Sequence, residues 1–115
     1  YFLKKNIVRK EIMRRNEESD LLLYKQFKEP TFTLEEFSLL WGKIADILKL
    51  NGGKLRVEDR FDVEIDVLDP WLFDGYISEI QDLFIEKKVG DKGTNDFKII
   101  TLKDYVVNYF KESDL

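Results

Sequence analysis

The chain has 115 residues, 43% hydrophobic, 14% aromatic and 37% charged, with a formal net charge of −4. That length is one domain with a modest core, and the aromatic content excludes a disordered chain despite the charge. Neither Cys nor His occurs, which excludes disulfides, a thiol nucleophile, Ser–His or Cys–His pairs within the chain, and the commonest general base and metal ligand.

Residues 1–15 carry six basic side chains, Lys4, Lys5, Arg9, Lys10, Arg14 and Arg15, against one acid, Glu11. Their net charge is +5, which leaves −9 for the rest of the chain. A basic arm on an acidic body is the main electrostatic feature. Leu3, Ile7, Val8, Ile12 and Met13 recur at helical spacing. Leu21, Leu22, Leu23, Tyr24 and Phe27 follow the acids Glu17, Glu18 and Asp20. This pattern predicts one or two helices before Pro30 and sets residues 1–30 apart as a basic helical extension or linker ahead of a domain at 31–115.

Thr33-Leu34-Glu35-Glu36 is a capping box. Leu34, Phe37, Leu40, Trp41, Ile44, Ile47 and Leu48 then form one apolar stripe of a long helix, and Asn51-Gly52-Gly53 is expected to end it through a left-handed glycine. In the stretch that follows, Phe61, Val63, Ile65 and Val67 alternate with Asp62, Glu64 and Asp66, the period of a half-buried strand. Irregular chain with buried anchors fits as well.

Asp69 is read as a helix cap with Pro70 at the first helical position. Leu72, Phe73, Tyr76, Ile77, Ile80, Leu83 and Phe84 give the stripe of that helix. Gly75 falls inside it, and Lys87 and Lys88 lie near its end. Residues 89–95 read as a polar loop. Phe97, Ile99 and Ile100 are expected to return to the interior. Thr101-Leu102-Lys103-Asp104 is a second cap signal, and Leu102, Tyr105, Val106, Tyr109 and Phe110 form the last apolar face.

From residue 33 onward, three local patterns occur in order. Leu55-Arg56-Val57-Glu58-Asp59-Arg60-Phe61, the helix from Asp69 to Phe84, and Ile100-Thr101-Leu102-Lys103-Asp104-Tyr105-Val106 together resemble the acyl carrier protein superfamily over about 80 residues, the usual size of such a domain. The resemblance implies a mainly α, carrier-like helical bundle with an N-terminal helical extension. The alternative is α+β, with a short two-stranded element at 61–67 and 97–100. Carriers hold their phosphopantetheine on a serine of an Asp-Ser-Leu motif. Here Asp69-Pro70-Trp71 stands at that point, and proline has no hydroxyl. Ser78 is the nearest hydroxyl in the helix and lies too far inside it to be reached like a carrier serine. The implied protein is a carrier-like member without a prosthetic group, of the kind found in small bacterial families, and no cofactor is expected.

The acids Asp59, Asp62, Glu64, Asp66, Asp69 and Asp74 do not follow the EF-hand spacing and read as a solvated face, so no metal site is assigned. No second catalytic group stands beside them, and the chain is read as non-enzymatic. In carriers the start of this helix is the face that partners read. Asp69, Trp71, Phe73 and Asp74 are therefore the expected interaction surface, in a non-catalytic module that binds a protein. One alternative is a functional carrier using another hydroxyl. Another is a membrane-tethered accessory or immunity-type protein, because Tyr1-Phe2-Leu3 ahead of Lys4-Lys5 resembles the cytoplasmic edge of a membrane helix. Residues 1–15 then lie near a membrane whose anchor precedes residue 1. Nucleic acid is not expected, since the acidic body repels phosphate. The chain itself contains no apolar run of membrane-spanning length and no signal-peptide pattern, so the expected location is cytoplasmic, with the inner face of a membrane as the variant.

Overall fold

The computed structural model describes residues 2–68, 75–87 and 99–111. Its helices are α1 (Phe2–Arg14), α2 (Asp20–Tyr24), α3 (Leu34–Leu48), α4 (Asp66–Leu68), α5 (Gly75–Lys87) and α6 (Leu102–Phe110). The architecture is mainly α, and no strand occurs among the described residues. No described helix is long and apolar enough to cross a membrane.

Local chemistry sets the starts of α2, α3 and α6. Thr33 accepts from the Glu36 amide at 3.1 Å, and Glu36 returns the bond to the Thr33 amide at 2.9 Å. Thr101 and Asp104 form the same reciprocal box before α6, both bonds at 3.1 Å. Ser19 caps α2 through the Leu22 amide. Each box satisfies two amides that a bare helix start would leave unpaired.

The end of α3 differs from the expected glycine stop. Lys49 takes the left-handed conformation, at φ 58° and ψ 44°. The Leu50 amide donates to the Ala45 carbonyl at 3.0 Å and the Lys49 amide to Asp46 at 3.2 Å, the paired bonds of a Schellman motif. Gly52 and Gly53 instead open a 3₁₀ turn, Gly52–Lys54. Their role is close packing. A Cβ on Gly52 would meet the Trp41 ring at 3.0 Å, and one on Gly53 would meet both Glu17 Cβ and the Glu18 carbonyl at 3.0 Å.

The strand alternative at 61–67 does not hold. Phe61–Ile65 is a π turn closed by the Ile65 amide on the Arg60 carbonyl at 3.0 Å, and it runs directly into α4. The alternation of Phe61, Val63, Ile65 and Val67 conceals a helical spacing, because Phe61, Ile65 and Leu68 turn inward while Val63 is 40% exposed. What remains of the pairing is one antiparallel bridge between Arg60 and Thr101, in which the Phe61 amide donates to Ile100 and the Leu102 amide to Asp59, both at 2.9 Å. Ile100 gives its carbonyl to this bridge, and its side chain is 41% exposed rather than interior. Residues 97 and 98 lie outside the described residues.

One core spans both sides of residue 30. Ile12, Leu23 and Phe27 share it with Phe37, Trp41, Ile44, Leu55, Val57, Ile65, Ile80, Leu102, Tyr105 and Val106. Phe27 and Phe32 meet edge to face at 5.2 Å, Phe37 stacks on Trp41 at 5.1 Å, and Phe32 stacks on Phe110 at 4.7 Å. These geometries add to the burial of area itself; with Phe27 edge to face on Phe37 at 5.6 Å, they join residues 20–32 to α3 and α6. The N-terminal stripe is only partly used, since Ile12 is buried while Ile7 and Met13 are about half exposed.

Candidate interaction surface

A polar joint holds the end of α1 against the loop after α3. Arg15 grips the Asp59 carboxylate through both terminal nitrogens, at 2.8 and 2.9 Å, and also donates to the Lys54 carbonyl at 3.0 Å. The carboxylate accepts a further bond from the Arg56 amide at 2.9 Å. Asp59 is only 2% exposed, so this acid belongs to the interior and not to the solvated face assigned to it. Burial of a carboxylate is tolerable only with such pairing. The hydrogen bonds to Asp59 hold the Arg15 guanidinium above its ordinary pKa, against the opposing effect of burial. Lys54 Nζ donates to the Arg15 carbonyl. Arg56 donates to the carbonyls of Gly53 at 2.7 Å and Asn16 at 2.6 Å, and the Glu18 amide donates to Gly53 at 3.0 Å.

Further along α1, Arg9 donates through Nε and a terminal nitrogen to the Val67 carbonyl, at 3.1 and 2.6 Å. Lys5 lies 3.5 Å from Asp66. The basic arm is thus a docked helix, and three of its cations, Lys5, Arg9 and Arg15, are engaged by the segment between Lys54 and Val67. The contact at Val67 stands two residues before Asp69, so α1 fixes the chain where it leads into the expected surface.

Asp69, Trp71, Phe73 and Asp74, with Pro70, lie outside the described residues, as does the expected cap of α5. Within α5 itself, Ile80 is fully buried and Phe84 is 8% exposed, while Tyr76, Ile77 and Leu83 are half-buried. The Tyr105 hydroxyl donates to the Ile80 carbonyl and ties α6 to α5. Facing away are Ser78, Glu79, Asp82 and Glu86, all exposed, with Ile85 61% exposed. Trp41, by contrast, is an interior anchor, 1% exposed and donating to the Gly52 carbonyl at 3.0 Å.

Glu64 accepts from the Arg60 amide at 3.4 Å. Asp62 pairs with Arg60 at 2.9 Å, and that bond holds its carboxyl below the ordinary value. Among the described residues no group of acids is gathered in a way that could hold a metal ion, and no buried side-chain polar atom lacks a hydrogen-bond partner. Sequence reading missed Arg9, Arg15, Arg56 and Asp59 as structural residues. The only signal was the opposite charge of arm and body, which does not specify pairs. No family model, curated protein or solved structure matches the chain.

Proposed function

We propose that the chain is a non-catalytic protein-interaction module on a carrier-like helical frame without a prosthetic group, docking its partner through Asp69, Trp71, Phe73 and Asp74 and the outward face of α5 that follows them. The observation that carries this reading is the two-sided character of α5, with Ile80 and Phe84 inward and Glu79, Asp82, Glu86 and exposed Ile85 outward. An exposed aliphatic residue among charges of one sign fits a partner of opposite charge with an apolar spot. The expected surface residues Asp69, Trp71, Phe73 and Asp74 adjoin this face in sequence. Support for the frame comes from the order α3, α5 and α6, from fully buried Leu55 and Val57 in the segment between α3 and α4, and from the Thr101 cap. Support for a non-catalytic role comes from buried polar side chains that the fold itself engages, among the described residues. Asp59 is held by Arg15, and the Tyr105 hydroxyl is held by Ile80.

Two measurements test the proposal. The intact mass of the protein from its native cells is expected to be that of the bare polypeptide, and an added phosphopantetheine would replace this reading with that of a working carrier. A photo-reactive residue at position 71 is expected to cross-link a protein that one at exposed Leu39 does not. Equal capture at both positions would overturn the assignment of the face.

A further inference from the structure

With Lys5, Arg9 and Arg15 turned to the body, α1 keeps a second, outward charge stripe. Ile7, Lys10 and Arg14 follow one another at i, i+3 and i+7, on the side of the helix away from buried Ile12. All three are exposed, Ile7 by 56%, and Glu11 lies at the edge of the stripe. On α5, Asp82, Ile85 and Glu86 face away from Ile80 and are likewise exposed. The two stripes match in design and oppose in sign. Each sets two like charges at i, i+4 beside one exposed isoleucine. Like charges at that spacing weaken their own helix, and a facing helix of opposite sign removes the repulsion.

We infer that these stripes are the two halves of one contact, in which α1 of one copy of the chain lies along α5 of a second copy. Lys10 and Arg14 then face Asp82 and Glu86, and Ile7 and Ile85 leave water together. The inference rests on α5 as a docking face and names its occupant. Each chain offers both stripes, so the pairing occurs twice in a two-fold dimer and once per junction in an open chain. An anionic lipid surface suits the α1 stripe less well, because the chain beyond residue 15 carries −9 and is repelled by it.

Sedimentation of the full chain over a concentration series, at low and high salt, tests this. The wild type is expected to form a larger species that dissociates as salt rises, since contacts between exposed charges are screened. K10E/R14E and D82K/E86K are each expected to abolish it, and their equimolar mixture to restore it. All four positions are exposed, so folding should survive, which circular dichroism checks. K25E/K43E, which makes the same change in net charge as K10E/R14E at exposed positions elsewhere, should associate like the wild type. A wild type that stays monomeric throughout, a reversed variant that still associates, or a mixture that stays monomeric would overturn the inference. A monomer that still cross-links a protein from position 71 would remove self-association and leave the docking face standing.

Discussion

Replacing Arg15 with Met tests the joint that fixes α1 to the body. The variant keeps most of the aliphatic volume and removes both bonds from the guanidinium to Asp59 and the bond to the Lys54 carbonyl. The Asp59 carboxylate stays shielded in its native position, with its side chain 3% exposed and one remaining bond from the Arg56 amide. Removing one partner of a fully buried pair costs about 3–5 kcal/mol. The Arg15 side chain is 22% exposed, so water can partly replace it, and a loss of about 2–4 kcal/mol is expected. That is a large share of the stability of a domain this size, about 5–15 kcal/mol. Urea unfolding followed by Trp fluorescence is the assay, because Trp41 bonds to Gly52 beside the joint. With a slope of about 1–3 kcal/mol/M, the midpoint should fall by about 0.7–4 M. Asp59→Asn retains an acceptor for the Arg56 amide, and R15M/D59N removes the orphaned charge. The double variant should therefore cost less than the sum of the singles by at least about 1 kcal/mol. A single transition is expected, since Ile12 on α1 belongs to the common core. A loss below about 0.5 kcal/mol for Arg15→Met, the level of an ordinary surface change, or strict additivity in the cycle, would refute the reasoning.

Three further changes have defined signs. Gly42→Ala should stabilise the chain by about 0.5–1 kcal/mol, because Gly42 lies inside α3 and the place an alanine methyl would take has no neighbour within 4 Å; a thermal melt that moves down would show hidden crowding. Lys49→Gly should also stabilise the fold, by about 0.5–1 kcal/mol, and raise the thermal midpoint, since φ 58° strains any residue with a Cβ. Burial raises the Tyr105 phenol above its ordinary value of 10.0, so its protonated form is favoured in the folded chain. The corresponding stability is complete below the unfolded pKa and is lost as pH climbs from there toward the folded one. Ultraviolet difference spectra should show Tyr105 ionising only as the chain unfolds in alkali, with Tyr105→Phe less sensitive to alkali and, at neutral pH, weaker by about 1 kcal/mol for the lost bond to Ile80. Ionisation of every tyrosine with the fold intact would contradict its burial.

The sequence by itself determined the elements whose cause is local. The Thr33 and Thr101 boxes are four-residue patterns that satisfy helix amides wherever they occur, and both formed as written. The apolar stripes of α3 and α6 follow from a period that any single helix obeys, and their residues reached the core. The tertiary structure decided everything that required two distant segments to meet. Alternation at 61–67 admits a strand, but a strand needs a ladder. Among the described residues the only bridge is that of Arg60 with Thr101, and the segment takes a helical turn. Of the neighbouring acids Glu58 and Asp59, only the second is buried, and the local bond it accepts from the Arg56 amide does not balance its charge. Arg15, 44 positions away, supplies the charge that makes the burial possible. The same holds for the basic arm. Its composition announced a positive charge, while the fold divided that charge between an inner face spent on the body and an outer stripe, because a helix presents different residues to each side only once it has something to pack against.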